Sequence, residues 1–148
     1  MNVNLVVRDA QERDLVEIEK IENLSFTDPW TPNMLLAELR DPKAYFVVAE
    51  IEGLVVGYCC AENIAKEFNI MNIAVNPDFR KHGIGGILLD HLIDFAKHYK
   101  LIGITLEVRV SNDAAKALYL SRGFRTEGVR RGYYRDGEDA DIMWLTFE

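Results

Sequence analysis

One stretch restricts the fold more than any other: Ile73-Ala74-Val75-Asn76-Pro77-Asp78-Phe79-Arg80-Lys81-His82-Gly83-Ile84-Gly85-Gly86-Ile87-Leu88-Leu89. An apolar β-rich run ends in Asn-Pro, a short basic loop follows, and glycines open a strongly apolar helix. With a further strand at Ile104–Val110, this predicts a right-handed strand–helix–strand crossover, and so one parallel strand pair within a sheet. Ligands in such sheets bind where the carboxyl end of a strand meets a helix N-terminus, and the loop Arg80–Gly86 lies at such a point. Exposed backbone N–H groups at a helix start, beside positive side chains, suit a phosphate-bearing ligand.

The remaining elements follow from local signals. Leu5 to Arg8 is a short strand. Asp9 and Glu12 have capping-box spacing, and Leu15, Ile18, Ile21 and Leu24 mark one helix face. Asp28-Pro29-Trp30 breaks the chain. Thr31 caps a second helix with Pro32 at its first position, and Pro42 stops it. Tyr45–Ile51 and Leu54–Ile64 form a hairpin around Glu52-Gly53, and Phe68–Val75 is the next strand. The helix from Ile84 to about Tyr99 carries Ile84, Leu88, Leu92, Phe95 and Tyr99 on one face. Asn112 to about Ser121 is a helix ended by Gly123. Phe124–Tyr134 and Asp141–Phe147 form a final antiparallel pair around Arg135-Asp136-Gly137. The order β-α-α-β-β-β-α-β-α-β-β predicts one α/β domain over residues 1–148, a mixed sheet with helices on its faces.

Bulk properties exclude several classes. No apolar run approaches the ~20 residues of a membrane span, and Met1-Asn2-Val3-Asn4-Leu5 lacks the basic and apolar regions of a signal peptide. Cys59 and Cys60 are strand neighbours pointing to opposite faces, so they read as buried thiols of a reducing cytoplasm rather than a disulfide. His82, His91 and His98 have no cysteine partners at ligand spacing, so no metal is expected. The net charge of −7 arises wholly in residues 1–70, which carry 6 basic and 13 acidic side chains, against 11 of each in residues 71–148. No basic stripe for nucleic acid is present. The pattern permits a cationic partner near the first half and an anionic ligand near the second, or serves solubility alone.

Gly83-Ile84-Gly85-Gly86-Ile87-Leu88 also begins like a dinucleotide fingerprint, with Glu107 near the ribose-binding position. Leu88 stands where the third glycine or alanine belongs, however, and six residues intervene between the strand and the turn. No Gly-Lys-Ser/Thr follows, which removes a P-loop. A second motif discriminates further. Leu106-Glu107-Val108-Arg109 leads into Asn112-Asp113-Ala114-Ala115-Lys116-Ala117-Leu118-Tyr119-Leu120-Ser121-Arg122-Gly123-Phe124. This N-x-x-A-x-x-L-Y-x-x-x-G-F wording, with R-x-x-G-x-G at Arg80–Gly85, resembles the acetyl-CoA half of the GNAT N-acetyltransferases. Asn72-Ile73-Ala74-Val75, Arg130-Arg131-Gly132-Tyr133-Tyr134 and Phe26-Thr27-Asp28-Pro29-Trp30 extend the likeness over the whole chain. They resemble the RimI-type enzymes, which acetylate the N-terminal alanine of a small-subunit ribosomal protein.

The resemblance implies a GNAT fold, a mixed sheet of about seven strands splayed at the acetyl-CoA site. It implies Glu107 as general base and Tyr119 as general acid. Cofactor contacts fall to the backbone of Ile73, Ala74 and Val75, to the loop Arg80, Lys81, His82, Gly83, Ile84, Gly85 and Gly86, and to Asn112. Phe26, Trp30, Tyr133 and Tyr134 would flank the acceptor peptide. Glu67, with the strand parity of Ile73, is a rival base. The chemistry agrees: an α-amine of pKa ~8 must lose a proton before attack, and a tyrosine of pKa ~10 stays protonated to serve the departing thiolate. Plainer readings stand beside these. Glu107 can pair with Arg109 or Arg125, Tyr119 can be a core aromatic, and Asn112 can be a helix cap. The expected function is acetyl-CoA-dependent acetylation of the N-terminal alanine of a ribosomal protein, in the cytoplasm. A small amine, a lysine or another N-terminus as acceptor, or an acyl-CoA-sensing module without catalysis, are the alternatives.

Overall fold

The computed structural model describes residues 4–147, so the reading of Met1, Asn2 and Val3 lies outside the described residues. The elements follow the expected order: β1 (Leu5–Asp9), α1 (Leu15–Ser25), α2 (Pro32–Arg40), β2 (Ala44–Ile51), β3 (Leu54–Ile64), β4 (Glu67–Val75), α3 (Ile84–His98), β5 (Gly103–Arg109), α4 (Asp113–Ser121), β6 (Arg125–Arg130) and β7 (Ala140–Thr146). One mixed sheet runs in the order β1-β2-β3-β4-β5-β7-β6. Its parallel pair is β4–β5, joined across α3 as the crossover requires.

Local chemistry accounts for most of the boundaries. The Thr31 hydroxyl accepts from the Met34 N–H at 3.2 Å, with Pro32 opening α2. Glu52 and Gly53 both have positive φ, at 51° and 84°, the backbone of a tight hairpin turn between β2 and β3. The cap before α1 differs from the expected Asp9–Glu12 pair. Asp14 takes that part, accepting from the Gln11 N–H at 2.7 Å while also bonding Arg8 at 2.8 and 2.9 Å.

Two apolar cores cover the two faces of the sheet. One packs α3 through Ile84, Leu88, Leu89 and Leu92 onto Val47, Cys59, Phe68 and Ile104. The other packs Ile18, Ile21 and Leu35 of α1 and α2 onto Val48, Tyr58, Cys60 and Ala74. Cys59 and Cys60 fall in different cores and are free thiols, as strand alternation requires. Phe95 keeps to the face of Leu88 and Leu92, packing on Tyr45 and Phe68 of the same core, and Tyr99 follows on Phe95 at the more exposed end of the helix.

The α1 face also differs from expectation. A stride of three residues falls about 60° behind the helix turn at each step, so Leu24 ends up 64% exposed. Glu22, seven residues from Leu15 and four from Ile18, occupies the inward face and is 1% exposed.

β4 carries the irregularity on which the site depends. Cys60 pairs with Asn72 and Ala61 with Ile70, which leaves Met71 as an extra, unpaired residue. Such a bulge reverses the facing of every residue beyond it. Phe68 and Ile70 before the bulge therefore share a core with Ile73 and Val75 after it. On the other side, β4 pairs with β5 only at Glu67–Asn69 against Gly103–Thr105. Beyond Asn69 the two strands splay and leave their facing backbone edges open.

Candidate active site

The splay opens beside the start of α3. Gly83 is the residue before the helix, in the left-handed conformation with φ 79°, and Lys81 shares that conformation at φ 67°. The first intrahelical bond runs from the Ile87 N–H to the Gly83 carbonyl at 3.0 Å. The N–H groups of Ile84, Gly85 and Gly86 thus have no partner in the helix, and Gly83 offers no capping side chain. Lys81 and His82 are exposed beside them. A Cβ on Gly85 would point into the notch between β4 and α4, 3.6 Å from Leu118 and 3.9 Å from Val75. The protein itself leaves room there for a methyl group, so the glycine keeps space for something else. This cradle of N–H groups, positive side chains and open strand edge fits the pyrophosphate and pantetheine arm of coenzyme A.

Arg80 is engaged differently from Lys81 and His82. Its Nε donates to the Val75 carbonyl at 3.2 Å and its Nη2 to the Ser25 hydroxyl at 3.2 Å, tying the loop to the ends of β4 and α1. Asn112 caps α4, its Oδ1 accepting from the Ala115 N–H at 3.2 Å.

Glu107 stands near the end of β5, on the splayed part, and is partly exposed. Its partner is neither Arg109 nor Arg125 but Arg130 at the end of β6, whose Nε donates to Glu107 Oε2 at 3.2 Å. Tyr119 on α4 is 5% exposed and packs on Phe124 at 5.5 Å between ring centroids. Burial pushes its hydroxyl well above the ordinary tyrosine range, and Cys59 and Tyr134 add to that. Tyr134 is pushed up to about 12, by burial first; Arg109 opposes, while Tyr133, Glu107 and Glu138 reinforce.

The expected strand Phe124–Tyr134 ends at Arg130, before Tyr133 and Tyr134. They sit instead in the loop 131–139, because Gly132 has φ 60° and the turn closes through Tyr134 N–H to Glu138 O at 3.1 Å and Gly137 N–H to Tyr134 O at 2.8 Å. Arg109, expected only as a possible ion-pair partner of Glu107, organises this loop. It bonds Asp136 at 2.8 Å and Glu138 at 2.9 Å, and its guanidinium lies 4.1 Å above the Tyr134 ring. Its Nη2 also reaches the Thr27 hydroxyl at 3.4 Å, and Arg135 pairs with Asp28 at 3.5 Å. The loops 26–30 and 131–139 therefore face each other across a cleft of ≈ 400 Å³ lined by Thr27, Asp28, Arg109, Arg135 and Asp136. Phe26 is exposed on the first loop, and Trp30 at its end is half-buried against the α1–α2 core.

Glu67 does not belong to this assembly. It is the first residue of β4, opposite Gly103, six residues or roughly 20 Å of strand from Ile73. The bulge at Met71 turns it to the face opposite Ile73. Strand parity does not place Glu67, because a bulge is a property of strand pairing. Away from the cleft, the carboxylates of Glu38, Asp41 and Glu62 approach one another closely enough to share an ion. No site residue lies among them.

The acetyltransferase (GNAT) family profile matches residues 15–124. The chain belongs to the GNAT family and is an N-acetyltransferase. Its relatives include the [ribosomal protein bS18]-alanine N-acetyltransferase of Escherichia coli strain K12, 34% identical over 142 residues, with 94% of this chain and 95% of that one covered. The N-alpha-acetyltransferase RimI of Mycobacterium tuberculosis is 42% identical over 122 residues, covering 78% of this chain and 75% of that one. Among solved structures, the ribosomal-protein-S18-alanine N-acetyltransferase from E. coli superposes with a TM-score of 0.90 at 33% identity, covering 97% of this chain and 94% of that one. Ard1 from Thermoplasma volcanium reaches 0.94 at 28%, with 99% of each chain covered.

Proposed function

We propose that this enzyme transfers the acetyl group of acetyl-CoA to the N-terminal α-amine of an alanine-initiated protein, and that its acceptor is the ribosomal protein bS18 named for its E. coli relatives. One observation carries the reading. The splay of β4 from β5 opens beside the uncapped N–H groups at the start of α3, and Arg109, on the same splayed part of β5 as Glu107, lines the cleft between loops 26–30 and 131–139. A thioester laid along β4 would present its carbonyl to the open edge at Ile73–Val75, where a backbone N–H would stabilise the developing oxyanion. The neutral amine attacks the thioester carbon, a C–N bond forms and the C–S bond breaks. The amine's proton passes to Glu107, directly or through water, and the thiolate takes the proton of Tyr119.

The electrostatics suit this division of labour. Burial holds Tyr119 protonated through the neutral range, so it is a donor and not a base. The proposed ribosomal acceptor implies a cytoplasmic enzyme. Among the described residues no helix is long and apolar enough to cross a membrane.

The test uses two peptides and free-thiol release. An Ala-Arg-initiated peptide with a free α-amine should be acetylated at that amine, located by mass spectrometry. The same peptide blocked at its α-amine but carrying lysines should be a poor substrate, since lysine, pKa ~10.4, is scarcely neutral at pH 7. Efficient acetylation of the blocked peptide moves the function to lysine. Acetyl-CoA binding without thiol release on any amine makes the protein a sensor.

A further inference from the structure

We infer that Glu22 is a positioning residue that holds the acceptor loop 26–30 against the splayed segment of β4. The inference rests on the proposed function in one respect, that this loop receives the acceptor.

Glu22 sits on the inward face of α1 among Ile18, Ile21 and Leu35, where an apolar side chain would be the ordinary occupant. A buried carboxylate is costly unless its oxygens are satisfied, and here both are. Oε2 accepts the backbone N–H of Trp30 at 2.8 Å. Oε1 accepts the Asn72 side-chain amide at 2.9 Å and the Tyr58 hydroxyl. All three partners are donors, so the group works as a two-sided acceptor. One oxygen takes the end of the acceptor loop; the other takes β3 and β4.

The place on β4 matters. Asn72 is the first paired residue after the bulge at Met71, and Ile73, whose backbone borders the open edge, follows it directly. A second tie brackets the same loop from its other end: Arg80 joins Ser25, the last residue of α1, to the carbonyl of Val75. The loop is thus fastened to the splayed segment at both ends, Ser25 through Arg80 and Trp30 through Glu22. Between the ties Phe26, Thr27 and Asp28 are exposed, and Thr27 and Asp28 line the cleft. A leucine at position 22 would fill the core and leave the Trp30 N–H without this partner. The carboxylate therefore converts a packing position into a geometric link between the loop and the strand.

Two variants and two independent readouts test this. Glu22→Gln keeps the size but turns an amide donor toward at least one of the three donors; Glu22→Ala removes the acceptor altogether. Backbone amide exchange of Trp30, followed by NMR on ¹⁵N-labelled protein without substrates, should accelerate about tenfold or more in Glu22→Gln, the fold-change of one lost charged hydrogen bond. In steady-state kinetics with each substrate varied separately, KM for the Ala-Arg peptide should rise about tenfold by the same reasoning. KM for acetyl-CoA and the stabilisation it confers should stay within about twofold, a split that general loosening of the core would not produce. Unchanged Trp30 exchange, or equal losses toward both substrates, overturns the inference. Should Glu22→Ala fail to fold, the near-isosteric glutamine variant decides. A wild-type enzyme that acetylates no α-amine overturns the functional reading instead, while Trp30 exchange still reports whether Glu22 holds the loop.

Discussion

Glu107 and Arg130 are joined at 3.2 Å although their strands, β5 and β6, are not neighbours: β7 lies between them, and the two side chains meet across it. The expected base is therefore held by a side chain from the segment that leads into loop 131–139. Glu107→Gln keeps the size and the contact but removes the proton acceptor. At neutral pH its kcat/KM for the Ala-Arg peptide should fall, and raising the pH should restore part of the loss as the α-amine, pKa ~8, deprotonates unaided. An unchanged pH–rate profile would assign proton removal to another group. Glu67 is not that group, since it faces away from Ile73.

Tyr119→Phe tests the acid. The ring stays packed on Phe124, so folding and acetyl-CoA binding should be nearly intact. Turnover should fall, typically by ~10²–10⁴-fold for loss of a general acid. Because burial raises the hydroxyl above its ordinary range, wild-type turnover should show no alkaline decline from Tyr119 up to pH 9. Wild-type turnover in the phenylalanine variant would reduce Tyr119 to packing.

The glycines at the start of α3 separate ligand binding from folding. Gly85→Ala adds a methyl group at ordinary contact distance from Leu118 and Val75. The free protein should keep its melting temperature, while the increase produced by acetyl-CoA should shrink. Gly85→Asp should abolish that increase. Gly86→Ala brings its Cβ 2.5 Å from Arg122 Nη2 and displaces the exposed Arg122–Asp90 pair, which should lower the melting temperature of the free protein only slightly. Differential scanning fluorimetry of the three variants with and without acetyl-CoA distinguishes these outcomes.

Away from the cleft, Glu38 predicts a pH dependence of stability. Only 6% exposed, it is pushed from the ordinary 4.5 up to about 8, by burial first and then by the facing carboxylate of Glu62. The folded protein keeps this proton where the unfolded chain has lost it. The contribution is therefore fully present below about pH 4.5 and is lost as pH rises through about 8. Melting temperature should decline across that window, and Glu38→Gln should flatten the decline. A glutamine variant with the wild-type slope would place the titration elsewhere.

What the sequence determined by itself is what depends on neighbours in the chain. Thr31-Pro32 starts a helix, Glu52-Gly53 turns a hairpin, and the basic glycine loop between β4 and α3 exposes N–H groups, all through interactions spanning a few residues. The motifs at Arg80–Gly86 and Glu107–Phe124 made the family legible for the same reason: their chemistry is written at short spacing. Tertiary structure decided everything that depends on which strand lies beside which. The extra residue at Met71, visible only in pairing with β3, turned Glu67 away from Ile73. The order β5-β7-β6 chose Arg130 as the partner of Glu107. The acidic surplus of the first half, legible only as net charge, is partly internal: Asp14 and Glu50 bond Arg8, and Glu22 and Glu38 are buried. Glu22 could have been suspected from its place four residues after Ile18 on an apolar face. Its three donors come from residues 8, 36 and 50 positions away, and only the packed chain brings them together.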